Sequence, residues 1–192
     1  MERELMISGI GGQGVQLCAQ VIARAATAEG RQVLLFGLYG GQMRGGNTES
    51  TVIVADRTVS SPPIVSHTWS AIVMHHQYWE NLRAKLKPAA AVVVNSSLFE
   101  GGIDRSSWRV FDIDASKIAG ELGNPLAASM VMAGAYAGVT ELVGLESLVA
   151  AMRDSLPPYR KQHAELNENA LRAGYGAVVV GVAPAWAAPA NI

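Results

Sequence analysis

The chain opens with a short apolar run, Glu4 to Ser8, followed by glycine-rich Gly9–Gly14 and then apolar residues spaced as on one helix face from Val15 to Glu29, with Gly30 as a natural stop. Strand, turn and helix are expected there. Gln32 to Leu38 (QVLLFGL) is nearly continuous in apolar residues, the pattern of a strand buried on both faces of a parallel sheet. Tyr39 to Ser50 breaks the pattern with glycine and polar residues and reads as a long loop of the kind that carries function. Thr51 to Ala55, the turn pair Asp56-Arg57 and Thr58 to Ser60 suggest a hairpin closed by Ser61-Pro62-Pro63.

Downstream, Ala71 to Met74, Ala91 to Asn95 and Trp108 to Ile113 read as strands, and Gln77 to Leu86 as a helix before Pro88. From Ala115 the period becomes helical, with segments at Ser116–Leu122, Ala127–Val143, Leu145–Leu156 and His163–Ala173, the last two separated by Pro157-Pro158. The Ala127–Val143 segment is made of small residues and should be buried on most sides. The tail from Val178 is apolar but interrupted by Pro184 and Pro189, so it is expected to lie as an arm on another surface. The expected fold is α/β: a mostly parallel, Rossmann-like layered sheet with helices on both faces and further helices at the C-terminus. One domain over residues 1–175 and an extended apolar arm over 176–192 describe the organisation.

Composition sharpens this picture. At 192 residues the chain has room for one substantial core, and 49% apolar against 16% charged residues implies extensive burial, with partner chains as one place for it. A formal net charge of −1 and scattered Lys and Arg give no basic footprint, so nucleic acid is not an expected partner. No apolar run approaches the ~20 residues of a bilayer span and MEREL is not a signal peptide, so the expected setting is cytoplasmic, away from membranes. Cys18 is the single cysteine. It can form no internal disulfide and cannot supply the thiolates of an iron–sulfur cluster, so such a centre belongs to another chain.

Gly9-x-Gly11-x-x-Gly14 has the spacing of a dinucleotide fingerprint and sits between strand and helix, where glycines bring backbone N–H groups to face an anion. The fingerprint also needs an acidic residue ending the second strand to hold a ribose, and Leu35-Phe36-Gly37-Leu38 has none. NAD or FAD is therefore disfavoured, leaving an anion site or close helix–strand packing. Met43-Arg44-Gly45-Gly46-Asn47, with Thr48, is the second candidate: Arg44 offers a planar fork for phosphate or carboxylate, against the plainer reading of a solvated arginine. His75-His76 ends a strand, where neighbours point to opposite faces, so the pair is a poor metal site. Cys18 reads as an inert buried thiol, Met130 and Met132 as packing, His163 as solvated, and Ser96-Ser97 lacks a nucleophile elbow. No self-contained catalytic machinery is visible.

Several stretches in order resemble one family. SGIGGQGV (8–15), YGGQMRGGNTESTVIVAD (39–56), SSPPIV (60–65), GNPLAASMVMAGAYAG (123–138), LNENAL (166–171) and Gly174-Tyr175 are similar to the gamma subunit of the 2-oxoacid:ferredoxin oxidoreductases. The departure is at Gly41-Gln42, where that family's pattern has Pro-Glu. The resemblance implies a multi-subunit enzyme that converts a 2-oxoacid and coenzyme A (CoA) to acyl-CoA, CO2 and a reduced acceptor. Thiamine diphosphate, Mg and iron–sulfur clusters would reside in alpha, beta and ferredoxin-like delta partners, with ferredoxin or an NAD-reducing subunit as acceptor. On this reading the chain holds no catalytic residue, is inactive alone, and shapes the CoA site and the assembly interface. Gly11, Gly12, Gln13, Gly14, Arg44, Gly45, Gly46 and Asn47 are the implied contacts to CoA phosphates or to partners. The alternatives are the small subunit of an indolepyruvate-type oxidoreductase and a purely structural module, for which the strip around Trp186 would dock on a sibling chain.

Overall fold

The computed structural model describes residues 1–39 and 45–186. The chain runs through β1 (Glu2–Ile10), α1 (Val15–Ala28), β2 (Gln32–Tyr39), β3 (Asn47–Ala55) and β4 (Thr68–Val73). A 3-10 turn then leads into α2 (Trp79–Arg83), followed by β5 (Leu86–Asn95), β6 (Arg109–Ile113) and α3 (Ala115–Glu121). The chain ends in α4 (Ala128–Thr140), α5 (Leu145–Ser155) and α6 (Ala164–Gly176). The six strands form one sheet in the order β2-β3-β1-β4-β5-β6. β1, β4, β5 and β6 are parallel neighbours, while β3 runs antiparallel to both β1 and β2. Five strands therefore share one direction and β3 alone opposes them.

That inserted strand corrects the hairpin reading. β3 starts at Asn47, inside the stretch read as loop, and pairs on one side from Gln32↔Ala55 to Tyr39↔Thr48 and on the other from Glu2↔Ala55 to Ile10↔Asn47. Two flanking neighbours satisfy its backbone, which lets the polar run Asn47-Thr48-Glu49-Ser50 sit inside the sheet. Thr58–Ser60 is not a strand. This segment is pinned by Glu2, whose carboxylate accepts from the Ser60 amide (2.6 Å) and hydroxyl (2.8 Å) and from both donors of Ser61.

The two faces are covered unequally. Leu5, Ile7, Val52, Ile72 and Val93 face a thick layer built from α1, α3, α4, α5 and α6. On the other face Met6, Ile53, Val73 and Val92 are covered by the short α2 and by loop residues, with Trp79 packed edge-on against Phe99 and Trp108. Within the thick layer every residue of α4 except Ala128 is buried, as its small residues suggest. α6 reaches it through two close approaches: a Cβ on Gly134 would fall 2.0 Å from the Leu171 carbonyl oxygen, and one on Gly174 would fall 1.9 Å from that of Val131.

The segment after α6 returns to its own chain. The amides of Gly181, Ala183 and Ala185 donate to the carbonyls of Gly138 (2.8 Å), Val139 (2.9 Å) and Thr140 (2.6 Å), which the last turn of α4 otherwise leaves without partners. Trp186 donates to the Leu142 carbonyl at 3.2 Å and lies under the Arg31 guanidinium, 4.0 Å from the ring centroid. Trp186, expected on a docking strip, is thus held in part by its own chain, through Arg31 and the Leu142 carbonyl. Val179, Val180 and Val182 remain exposed beside it. Among the described residues no helix is long and apolar enough to cross a membrane.

Candidate functional site

The carboxyl ends of β1, β4 and β5 open on one edge of the sheet. From β1 the chain crosses through α1 to β2 on one side, and from β3 it returns to β4 on the other side, so the crevice outside β1 and β4 is a topological switch point. In such sheets ligands bind there. The glycine turn following β1 occupies this position.

Because Asn47 stands opposite Ile10 in the β1–β3 register, the two sequence candidates meet. The Gly11 amide donates to the Gly46 carbonyl at 2.9 Å, and the Gly45 amide to the Gly11 carbonyl at 3.4 Å. Gln13 locks the turn from within: its amide donates to the Ile10 carbonyl (3.2 Å) and its Oε1 accepts from the Ile10 amide (2.9 Å). Gly11, Gly12, Gln13, Gly14, Gly45, Gly46 and Asn47 are therefore brought into one structure. Arg44 lies outside the described residues.

The turn presents donors. Gly14 is the N-cap of α1 at φ 80°, no side chain caps the helix, and its first turn holds no acidic residue. Among the described residues the amides of Gly12, Gly14, Val15, Gln16 and Leu17 have no hydrogen-bond acceptor, as at the first turn of an uncapped helix. Gly12, at φ 102°, is exposed and has empty space where a side chain would point. Gly14 instead faces the start of α4, where an added Cβ would lie 2.5 Å from Ser129 Oγ. Of the two glycines, Gly14 is held by packing and Gly12 is left exposed on the turn. α4 also starts without a side-chain cap or an acidic residue in its first turn.

Four buried polar atoms have no partner among the described residues: Ser8 Oγ, Asn47 Oδ1, Ser50 Oγ and Asn95 Oδ1. In the β1–β3 register Asn47 stands opposite Ile10, Ser8 opposite Glu49 and Ser50 opposite Ile7, and Asn95 ends β5, so all four lie toward the end of the sheet where β1 and β5 finish. Glu49, also buried, accepts from Asn47 Nδ2 at 3.2 Å and faces Lys85 Nζ at 3.5 Å. A cavity of about 190 Å³ adjoins the turn, with Gly12 and Gln13 on one side, Met74 and Asn95 at its base, and Leu98 and Leu126 at its rim. Asn95 and Leu98 carry no motif, and Leu126 lies inside the GNPLAASMVMAGAYAG stretch with no local sign that it borders a cavity. The available signal was one polar residue closing an apolar strand, and it gains meaning only with the strand order.

His75 and His76 follow β4 with ring centroids 4.5 Å apart, which corrects the expectation of opposite faces: the strand has ended at Val73 and its alternation no longer applies. Burial and the adjacent His76 lower the His75 pKa, favouring the neutral ring. Its Nδ1 accepts from the Gln77 amide at 3.1 Å. Among the described residues no group of three His, Cys, Asp or Glu is placed to hold a metal. Cys18 is fully buried and burial pushes its thiol pKa up, Met130 and Met132 are core, and His163 is exposed. Ser96 donates to Asp114 at 2.7 Å. Among the described residues the edge offers backbone donors and polar side chains and pairs no nucleophile with a base.

The pyruvate ferredoxin/flavodoxin oxidoreductase family matches residues 4–177. The 2-oxoglutarate synthase subunit KorC of Methanocaldococcus jannaschii is 28% identical, with 91% of this chain and 93% of the relative aligned. The pyruvate synthase subunit PorC of Methanothermobacter thermautotrophicus is 32% identical over 90% and 93%. Among solved structures, the keto/oxoacid ferredoxin oxidoreductase gamma subunit of Geobacter sulfurreducens superposes with a TM-score of 0.79 at 25% identity, covering 92% of this chain and 95% of that one. The 2-oxoglutarate:ferredoxin oxidoreductase of Magnetococcus marinus, determined with 2-oxoglutarate, coenzyme A and succinyl-CoA bound, shares the fold with a TM-score of 0.82 at 19% identity, over 92% of this chain and 31% of that one. The chain belongs to the pyruvate ferredoxin/flavodoxin oxidoreductase family, as one of its gamma subunits.

Proposed function

We propose that this subunit serves a 2-oxoacid oxidoreductase by holding the phosphates of CoA on its paired glycine loops while sibling subunits carry out the redox chemistry. The observation that carries the reading is the Gly11–Gly46 hydrogen bond, which fixes the second loop against the first where the chain enters α1. Backbone donors on a preformed turn suit a phosphate group, and exposed Gly12 lets it approach the main chain. Arg44, two residues before Gly46 in sequence, supplies the cation. The Magnetococcus marinus enzyme, which shares the fold, was determined with CoA bound.

The residues present do not fit iron–sulfur clusters, because the sole cysteine is buried in α1. Thiamine diphosphate, Mg and the clusters are assigned to the alpha, beta and ferredoxin-like delta partners, and ferredoxin or an NAD-reducing subunit to the role of acceptor. Relatives named for 2-oxoglutarate and for pyruvate align at similar identity, and the choice of 2-oxoacid is assigned to the sibling subunits. In the assembled enzyme, Arg44→Ala is expected to raise the CoA concentration needed for half-maximal turnover about tenfold, as for a charged hydrogen bond lost to an anion. CoA-independent decarboxylation should remain. An unchanged CoA dependence overturns the proposal.

A further inference from the structure

We infer that the outer side of β2 is a pairing surface for a second copy of this chain, so that two sheets join through their β2 strands into one. The sheet ends laterally in β2 and β6, and the two strands are built differently. β6 carries exposed Arg109 and Asp112, and its Val110 carbonyl is already taken by the Arg105 guanidinium at 3.3 Å. Charges on the strand and a side chain on its backbone keep such an edge from adding another strand. β2 has no such guard. Its eight residues Gln32–Tyr39 (QVLLFGLY) include no charge and no proline, and Leu35 and Leu38 are 42% and 46% exposed.

The ladder decides which backbone groups of β2 face outward. The Asp56 amide donates to the Met1 carbonyl (3.2 Å) and the Gly11 amide to the Gly46 carbonyl (2.9 Å), so even-numbered residues of β3 turn toward β1 and odd-numbered ones toward β2. Ile53 and Thr51 then bond Leu34 and Phe36, and Val33, Leu35 and Gly37 turn their amides and carbonyls away from the sheet. Two such rows pair antiparallel about a two-fold axis normal to the sheet, which keeps each face on its own side. Centred on Phe36, the axis sets Leu35 against Gly37 of the copy, Leu34 against its Leu38, and the two Phe36 rings against each other. Gly37, lacking a side chain, leaves room for Leu35, and exposed Leu38 gains an apolar neighbour. Centred on Leu35 instead, Leu38 would meet polar Gln32. This match of the strand to itself, with no charge buried, selects a second copy over a foreign strand.

The test places single cysteines on β2 in the assembled oxidoreductase. Phe36→Cys sets two sulfurs on a non-hydrogen-bonded pair whose Cα atoms lie about 4.5 Å apart, within the span of a disulfide, so oxidation with glutathione disulfide should link two copies of this chain on a non-reducing gel. Native Cys18 is fully buried and does not compete. Leu34→Cys and Leu38→Cys, each displaced from its own equivalent, should link at least about fivefold less, and the Leu34→Cys/Leu38→Cys double variant should link again. Sedimentation of the full chain alone gives a second reading that spares the fold if Phe36→Cys does not. Leu35→Lys should weaken the dimer about tenfold or more, and Val180→Lys, equally exposed but outside the strand, should leave it within about twofold. A wild-type chain that sediments as a monomer, a dimer indifferent to Leu35→Lys, a Phe36→Cys chain linked to a sibling subunit or to nothing, or equal linking at all three positions overturns the inference.

Discussion

The Gly11 amide and the Gly46 carbonyl lie 2.9 Å apart, so two glycine loops separated by most of a βαβ unit form a single turn-on-turn structure at the carboxyl end of β1. The bond follows from the antiparallel insertion of β3, which brings Asn47 opposite Ile10. The same insertion argues against dinucleotide binding of the Rossmann kind. With neighbouring strands about 4.8 Å apart, the end of β2 lies about 10 Å from β1, and a ribose-holding acid there would be out of place even if one existed.

Gly14 combines a left-handed backbone with contact to Ser129, and both features disfavour a side chain. Gly14→Ala should destabilise the protein by about 2 kcal/mol or more, the sum of a positive-φ penalty and local overpacking. Thermal or denaturant unfolding reads this directly. Combining it with Ser129→Ala should recover part of the loss by removing the closest atom. A double mutant no more stable than Gly14→Ala would show that the contact is irrelevant.

Much of this was legible in the chain. The βα unit at the N-terminus shows itself where an apolar run gives way to glycines and then to helical spacing, and α4 shows itself in its run of small residues. Polarity misled at Asn47–Ser50, because burial of Glu49 and Ser50 depends on β1 and β2 lying on either side, which no local pattern encodes. Asn95 closed a readable strand, but its place in the site depends on β4 and β5 being neighbours of β1. The hold of its own chain on Trp186 was not legible, because its partners, Arg31 and the Leu142 carbonyl, are distant in sequence.

Trp186 fastens the C-terminal segment. Trp186→Ala should cost about 2 kcal/mol, from a lost hydrogen bond and a lost cation–π contact, when unfolding is followed calorimetrically. A double-mutant cycle with Arg31→Ala should return a coupling of about 0.5–1 kcal/mol. Strict additivity would mean that the ring and guanidinium do not interact.

Glu2 is held well below the usual carboxylate range, at about 2, chiefly by the Ser61 hydroxyl and the Ser60 amide. A folded-state pKa below the unfolded one stabilises the ionised form, so its contribution is complete above about pH 5 and is lost as pH falls through about 2. Hydrogen exchange at the Ser60 and Ser61 amides should accelerate, relative to the intrinsic rate, as pH is lowered across this window. Glu2→Gln should produce the faster exchange already at neutral pH. Protection at both amides that persists in Glu2→Gln would contradict this assignment.

The central claim is that the glycine turn faces the phosphates of CoA, and Gly12 tests it most directly. Gly12→Ala and Gly12→Asp both place a side chain at an exposed left-handed position, which Asp tolerates at least as well as Ala, but only the second adds a negative charge. The measurement is the CoA dependence of turnover by the assembled oxidoreductase with each variant. The account predicts that Gly12→Asp raises the KM for CoA at least about tenfold over Gly12→Ala, as like charge at an anion site requires. Equal KM values for the two variants would contradict it.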